Sequence, residues 1–205
     1  MLNGFSSESH LVKSIIITVF LIILILLFLP PEKNLGSVIK LVYLHAAFVQ
    51  TGLLLFISAG LLGLSDIFVN KNKLYAWSVA SQKMAIIMWM LYLVSSMVVT
   101  YLSWGIAIAW EEPRVQMSIR VMFLSGVFFL LSIWIKNRKF TNIINLITAA
   151  LVLMLSLTTV NIRHPNNPVG ESESILYAIS FYFVLVLTIF LTFQLMRLFF
   201  KKSLL

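Results

Sequence analysis

Two histidines, His45 and His164, are the residues best suited to chemistry in a 205-residue chain that contains no cysteine. Imidazole is a strong ligand for iron, zinc or copper. The missing thiol excludes disulfides, thiolate metal sites, thiol redox chemistry and covalent haem attachment. Two imidazoles on opposite sides of one iron suit a bis-histidine b-type haem, bound without covalent linkage. Zinc is a less natural reading, because it takes three or four ligands and only glutamates accompany these histidines.

Residues 104–114, WGIAIAWEEPR, are the second unusual feature. A haem needs an apolar or aromatic surface against its porphyrin edge and cations for its propionates. Trp104 and Trp110 can supply the first. Lys40, Arg114, Arg120 or Arg163 can supply the second, and the guanidinium groups of Arg114 and Arg163 match a carboxylate in two-point fashion. Each element also has a plainer reading. A histidine at a helix end is often a hydrogen-bonded packing residue, and Trp104, Trp77, Trp89 and Trp134 suit interfacial anchors or packing. Glu111 and Glu112 are adjacent, which points their side chains apart, so they do not read as an acid/base pair.

These residues must be positioned by membrane helices. The chain is 60% hydrophobic and 11% charged, against about half and a quarter in soluble domains. Six apolar runs, at about 11–29, 41–64, 78–101, 115–135, 143–161 and 174–197, each approach the roughly 20 residues that span a bilayer. An all-α membrane protein is expected, with residues 1–205 forming one domain of six transmembrane helices. PPEKNLG follows the first run without a small-x-small cleavage pattern, so that run reads as an uncleaved span.

Charge assigns the sides. Lys13, Lys71, Lys73, Lys136, Arg138, Lys139, Arg197, Lys201 and Lys202 flank one set of ends, against Glu8 and Asp66. Lys33, Lys40, Arg114 and Arg163 flank the other, with Glu32, Glu111, Glu112, Glu171 and Glu173. Positive-inside bias puts the first set, and both termini, in the cytoplasm. The net charge of +8 is then a topology signal and an attraction to anionic lipid, not a nucleic-acid surface. His45, His164 and the tryptophan loop all fall on the outer side, and His10 falls inside. Arg120 sits about two turns into a span, where a charge must snorkel or find a partner. Lys83, at a similar depth from the cytoplasmic end, can snorkel and is given no role.

The segment PPEKNLGSVIKLVYLHAAF resembles the approach to the second helix of the cytochrome c assembly family. There a proline-containing outer loop precedes a basic residue, Tyr-x-His and small residues; here these are Pro30, Pro31, Lys40, Tyr43, His45, Ala46 and Ala47. The 104–114 loop is similar to the family's W-G-x-x-W-x-W-[DE]-x-R signature at Trp104, Gly105, Trp110, Glu111 or Glu112, and Arg114. It diverges in carrying Ile106, Ala107, Ile108 and Ala109 between the tryptophans, and one extra residue before Arg114. NIRHPNNPV puts His164 where the family keeps its second outer histidine. The resemblance covers about residues 30–175 and is to the smaller, six-helix haem-handling members, the CcmC type.

The resemblance implies that His45 and His164 are axial ligands of haem b at the outer face of a bacterial or archaeal cytoplasmic membrane. Trp104, Trp110 and Arg114 then form the haem platform, and Lys40 is a candidate propionate partner. The implied function is delivery of haem in cytochrome c maturation, with a haem chaperone and transporter subunits as partners. The alternative is a b-haem membrane subunit of a respiratory electron-transfer complex, with redox subunits as partners. No serine–histidine–acid set or phosphate-cradling glycine loop is present, so the chain does not read as an enzyme acting alone.

Overall fold

Backbone within the hydrocarbon layer has no water to bond, so each apolar run closes its own hydrogen bonds as a helix. A computed structural model of the protein, which describes residues 2–33, 35–160 and 175–203, contains α1 (Leu2–Phe28), α2 (Ile39–Val69), α3 (Asn72–Trp104), α4 (Pro113–Ile135), α5 (Arg138–Thr158) and α6 (Ile175–Ser203). All six contain a stretch long and apolar enough to cross a membrane. The chain is an all-α, multi-pass membrane protein.

The spans follow the expected order, but several helices overrun the apolar limits. α2 covers Ile39–Val69 where 41–64 is the apolar run, and α3 covers Asn72–Trp104 where the run is 78–101. α5 instead starts and stops earlier than 143–161. Apolar length tracks hydrocarbon thickness, whereas a helix continues into the headgroup layer until the backbone meets a stop signal. Those stops are visible. Asn70, Gly105 and Lys136 adopt left-handed conformations, and their N–H groups bond the carbonyls of Asp66, Tyr101 and Ser132. Pro113 opens α4, where a missing N–H costs nothing. Asn137 caps α5 by accepting the Phe140 N–H at 3.0 Å.

Apolar side chains face outward from the bundle, and its interior mixes an apolar core around Phe56, Met84 and Trp89 with small and polar residues. Phe28, Trp134 and Leu157 stand well exposed, as lipid-facing residues do, while Ser78, Asn145 and Thr148 are buried. α2 is central, with α3, α5 and α6 against it; α4 lies across α3 and α5, and α1 is outermost against α6. Lipid offers no hydrophobic drive between helices, so close approach through small residues holds such a bundle together. Gly60 and Gly63 of α2 provide it. A Cβ on Gly60 would meet Ala149 Cβ at 2.7 Å, and one on Gly63 would meet the Asn142 carbonyl at 3.1 Å.

Gly60→Ala is therefore expected to destabilise the protein by about 1–3 kcal/mol, read as a lower midpoint of thermal unfolding in detergent. Adding Ala149→Gly removes the methyl it strikes and should restore part of the loss. A Gly60→Ala protein that melts with the wild type would refute the close α2–α5 contact.

Candidate functional site

Alternating spans gather the α1–α2 and α3–α4 connections and the start of α6 at one end of the bundle, which we call the histidine end. The α2–α3 and α4–α5 joints lie at the other, the lysine end. Cross-links fix this arrangement. At the histidine end, Tyr43 donates to the Tyr177 carbonyl at 2.8 Å and Tyr177 to the Pro31 carbonyl at 3.0 Å. Toward the lysine end, the Gln194 amide donates to Ser14 Oγ at 2.7 Å.

His45 lies in the second turn of α2, half-buried against α3, with its ring 4.7 Å from that of Tyr92 and tilted by 37°. Its Nδ1 is 3.5 Å from Ser95 Oγ, the outer limit of a hydrogen bond. Ser95 gives its own proton to the Tyr92 carbonyl at 2.9 Å, so toward His45 it serves as acceptor. A hydrogen on Nδ1 suits that contact. Metal-bound histidines are oriented in this way, with one nitrogen held by a hydrogen bond and the other ligating.

Tyr92 carries the contact onward to α4. Its hydroxyl is 2.8 Å from Ser118 Oγ, which donates to the Arg114 carbonyl at 2.6 Å. Ser118 has one proton, so Tyr92 is the donor of the pair. Trp89 is fully buried and gives its indole N–H to the Ser118 carbonyl at 3.0 Å. Thus α3 supports the His45 ring on one side and the first turns of α4 on the other. Among the other tryptophans, Trp77 stacks on Phe193 of α6 and Trp134 projects outward.

The 104–114 loop folds over the groove between α3 and α4. Gly105 turns the chain at φ 75°. Ala107 and Ile108 line a small crevice with Met97 and Thr100 of α3 and Val115 and Ile119 of α4. Glu111 is exposed and Glu112 fully buried, so the two carboxylates do point apart. Glu112 and Arg114 both lie within electrostatic reach of the Tyr92 hydroxyl. Trp104 is half-buried, and Trp110 is 62% exposed. The Trp110 carbonyl is held by the Gln116 amide at 2.8 Å, and Gln116 in turn accepts from Arg120 at 3.3 Å. Arg120 is exposed and reaches back toward the loop, the snorkelling direction expected of a charge at that depth.

The sequence-derived residues are thus only partly brought together. His45, Arg114, Trp104 and Trp110 lie at the histidine end, and Tyr92 links the first two, beside the His45 ring and within reach of Arg114. Lys40 does not join them: its ammonium donates to the Leu27 carbonyl at 3.0 Å, where it complements the C-terminus of α1. On α2, Lys40, Tyr43 and His45 address α1, α6 and α3 respectively. Arg114 closes the loop, and Arg120 reaches it through Gln116. His164 and Arg163 lie outside the described residues. Among the described residues no three of His, Cys, Asp and Glu converge as a metal-ligand group; a bis-histidine haem asks the chain for two. For one axial position, His45, oriented through Ser95, has the donor chemistry that haem iron takes.

Sequence reasoning missed Tyr92, Ser95 and Ser118, although Tyr92 and Ser95 stand one helical turn apart on α3. It also missed a buried polar cluster that joins α2 to α5. At the lysine end, Asp66 of α2 is 2% exposed and receives Arg138 Nε at 2.8 Å, Arg138 Nη2 on its other oxygen, and the Asn142 amide at 2.7 Å. Arg138 also bonds Asn72 at 2.8 Å and lies 5.3 Å from the centre of the Tyr75 ring. A signal was available: Asp66 is an acid in the last turn of an apolar helix, at an end crowded with cations.

No family model matches the chain, and no curated protein matches it at a significant level.

Proposed function

We propose that this membrane protein binds haem b at the outer membrane face through His45 and His164 and hands it on in cytochrome c maturation. The observation that supports the reading is the setting of His45: a half-buried imidazole whose Nδ1 faces Ser95, at the same end of the bundle as Arg114 and the tryptophan loop. The lysine-rich end is cytoplasmic in this reading, by the positive-inside bias, and both termini lie there. Bound haem would supply an iron that exchanges axial ligands, which is what delivery requires. The chain's own part is to orient the His45 ring through Ser95 and Tyr92, to offer Arg114 and Arg120 to carboxylates, and to project Trp110 outward for a receiving partner.

The second reading, a b-haem subunit of an electron-transfer complex, draws support from the loop. Ala109 and Glu112 are buried and the loop is packed down on α3 and α4, which suits a retained cofactor. A partner would therefore be a haem chaperone with transporter subunits under the first reading, and redox subunits under the second.

Protein purified from a haem-replete host is expected to show Soret and α bands of low-spin bis-histidine haem on reduction. A colourless protein that takes up no added haemin sinks both readings. Passage of the haem to an apo-acceptor favours delivery, and retention favours electron transfer. Arg114→Ala should lower haem retention more than Lys139→Ala, which alters an exposed cation at the lysine end; equal effects would remove Arg114 from the site.

A further inference from the structure

Gln50 of α2 is exposed on the outside of the bundle. It lies about 13 Å from one end of the apolar run 41–64 and about 21 Å from the other, at 1.5 Å per residue. So short a side chain reaches neither headgroup layer from there. Its amide makes no hydrogen bond to another described residue. An amide held in hydrocarbon without water or a partner is strongly disfavoured, and a polar group at such depth marks a contact. Gln82, Asn145 and Gln194, by contrast, are buried inside the bundle.

The fold leaves room beside Gln50. α6 covers α2 at Tyr43 and Ala47, and α5 covers it at Gly60 and Gly63. Those two helices scarcely touch each other. Between them Gln50, Leu54, Ile57 and Leu61 recur at three- and four-residue intervals as one stripe along α2. Leu54 is 45% exposed and Leu61 58%. Ser58 and Ser65 flank the stripe, and their hydroxyls each donate at 2.8 Å to a carbonyl of their own helix, that of Leu54 and that of Leu61. They present small side chains whose protons are already placed, which lets a second helix approach closely.

We propose that this stripe is an interface between two copies of the chain, joined through Gln50 of each. A primary amide carries both a donor and an acceptor and is therefore its own complement: Nε2–H of one Gln50 donates to Oε1 of the other, and the reverse. Two copies in one membrane orientation are related by a two-fold axis along the membrane normal, which sets their α2 helices parallel and both amides at one depth. A single buried amide fixes register in the same way in a parallel coiled coil. A lipid tail offers the amide no partner, and the stripe has no charge with which to hold an ion.

Full chains carrying a donor or an acceptor dye at the C-terminus are reconstituted in phosphatidylcholine vesicles over a range of protein-to-lipid ratios, and energy transfer gives the paired fraction. Wild-type protein should pair, and Gln50→Leu should weaken pairing by about three- to thirty-fold, the range spanned by interhelical hydrogen bonds in membranes. Gln50→Leu sets leucine against lipid, so its thermal midpoint should not fall below that of the wild type. Gln50→Asn keeps an amide and should pair more tightly than Gln50→Leu. The chain has no cysteine, so single-cysteine variants report contact directly. Leu54→Cys should form an interchain disulfide under mild oxidation, and Phe123→Cys, on the exposed side of α4, should not. A chain that stays monomeric at every ratio, equal pairing of wild type and Gln50→Leu, or Phe123→Cys cross-linking as readily as Leu54→Cys overturns the proposal. Association seen only with a different membrane protein overturns it as well. His45 faces α3, away from this stripe, so the pairing and the pigment spectrum can fail independently.

Discussion

His45→Ala is expected to abolish the low-spin spectrum of the haem-loaded protein or convert it to that of a singly ligated haem, and His164→Ala to do the same. Two imidazoles impose a strong field on iron, and removing either leaves an axial position that no cysteine can take over. The surroundings of His45 predict a graded series around that loss. Ser95→Ala removes the acceptor facing Nδ1 and keeps the ligand, so the spectral type should survive while affinity falls by about 10–100-fold, the usual cost of losing a partner behind a ligating histidine. Tyr92→Phe keeps the ring beside His45 and removes only the hydroxyl bonded to Ser118, so its effect should be smaller than that of Ser95→Ala. An unchanged spectrum in both histidine variants would eliminate the ligand assignment. A Ser95→Ala protein with wild-type affinity would leave His45 without its proposed orientation.

Arg138→Ala should be the most destabilising single change outside the candidate site. Asp66 is buried and its two carboxylate oxygens are both met by Arg138. Taking the guanidinium away strands a carboxylate among α2, α3 and α5 with the Asn142 amide and the Lys71 backbone N–H left to it, a loss of about 3 kcal/mol or more. Arg138→Lys should recover part of this, since an ammonium cannot make the two-point pairing or reach Asn72 at the same time. Replacing both Asp66 and Arg138 by leucine should cost less than Arg138→Ala, because no buried charge is then left unpaired. Thermal or denaturant midpoints in detergent measure all three; an Arg138→Ala midpoint equal to wild type would mean that the pair contributes nothing. The same geometry makes Arg138 unsuitable as a remote control for Arg114, because its loss would disturb the whole bundle.

Hydropathy alone located the six spans and their order, because a membrane helix must match a slab of fixed thickness and the chain has apolar runs of that length. It placed the ends less well. Asn70, Gly105 and Lys136 stop their helices through left-handed backbone turns beyond the apolar limits, and apolar length carries no information on where such a turn falls. The grouping of His45 with residues 104–114 at one end was also legible, since counting spans assigns every connection to a side.

What the sequence by itself determined, then, was depth and end; what only the tertiary structure decided was direction around each helix. A spanning helix is apolar on nearly all sides, so its pattern does not reveal which face meets which neighbour. Lys40 and His45 are close in sequence, yet one serves the terminus of α1 and the other faces α3. Glu111 and Glu112 are indistinguishable as letters, and packing exposes the first and buries the second. Asp66 and Arg138 read as topology charges until α5 is set against α2. Each of these outcomes depends on helix rotation and contact between distant segments, which side-chain fit across the bundle selects and residue order along one helix does not.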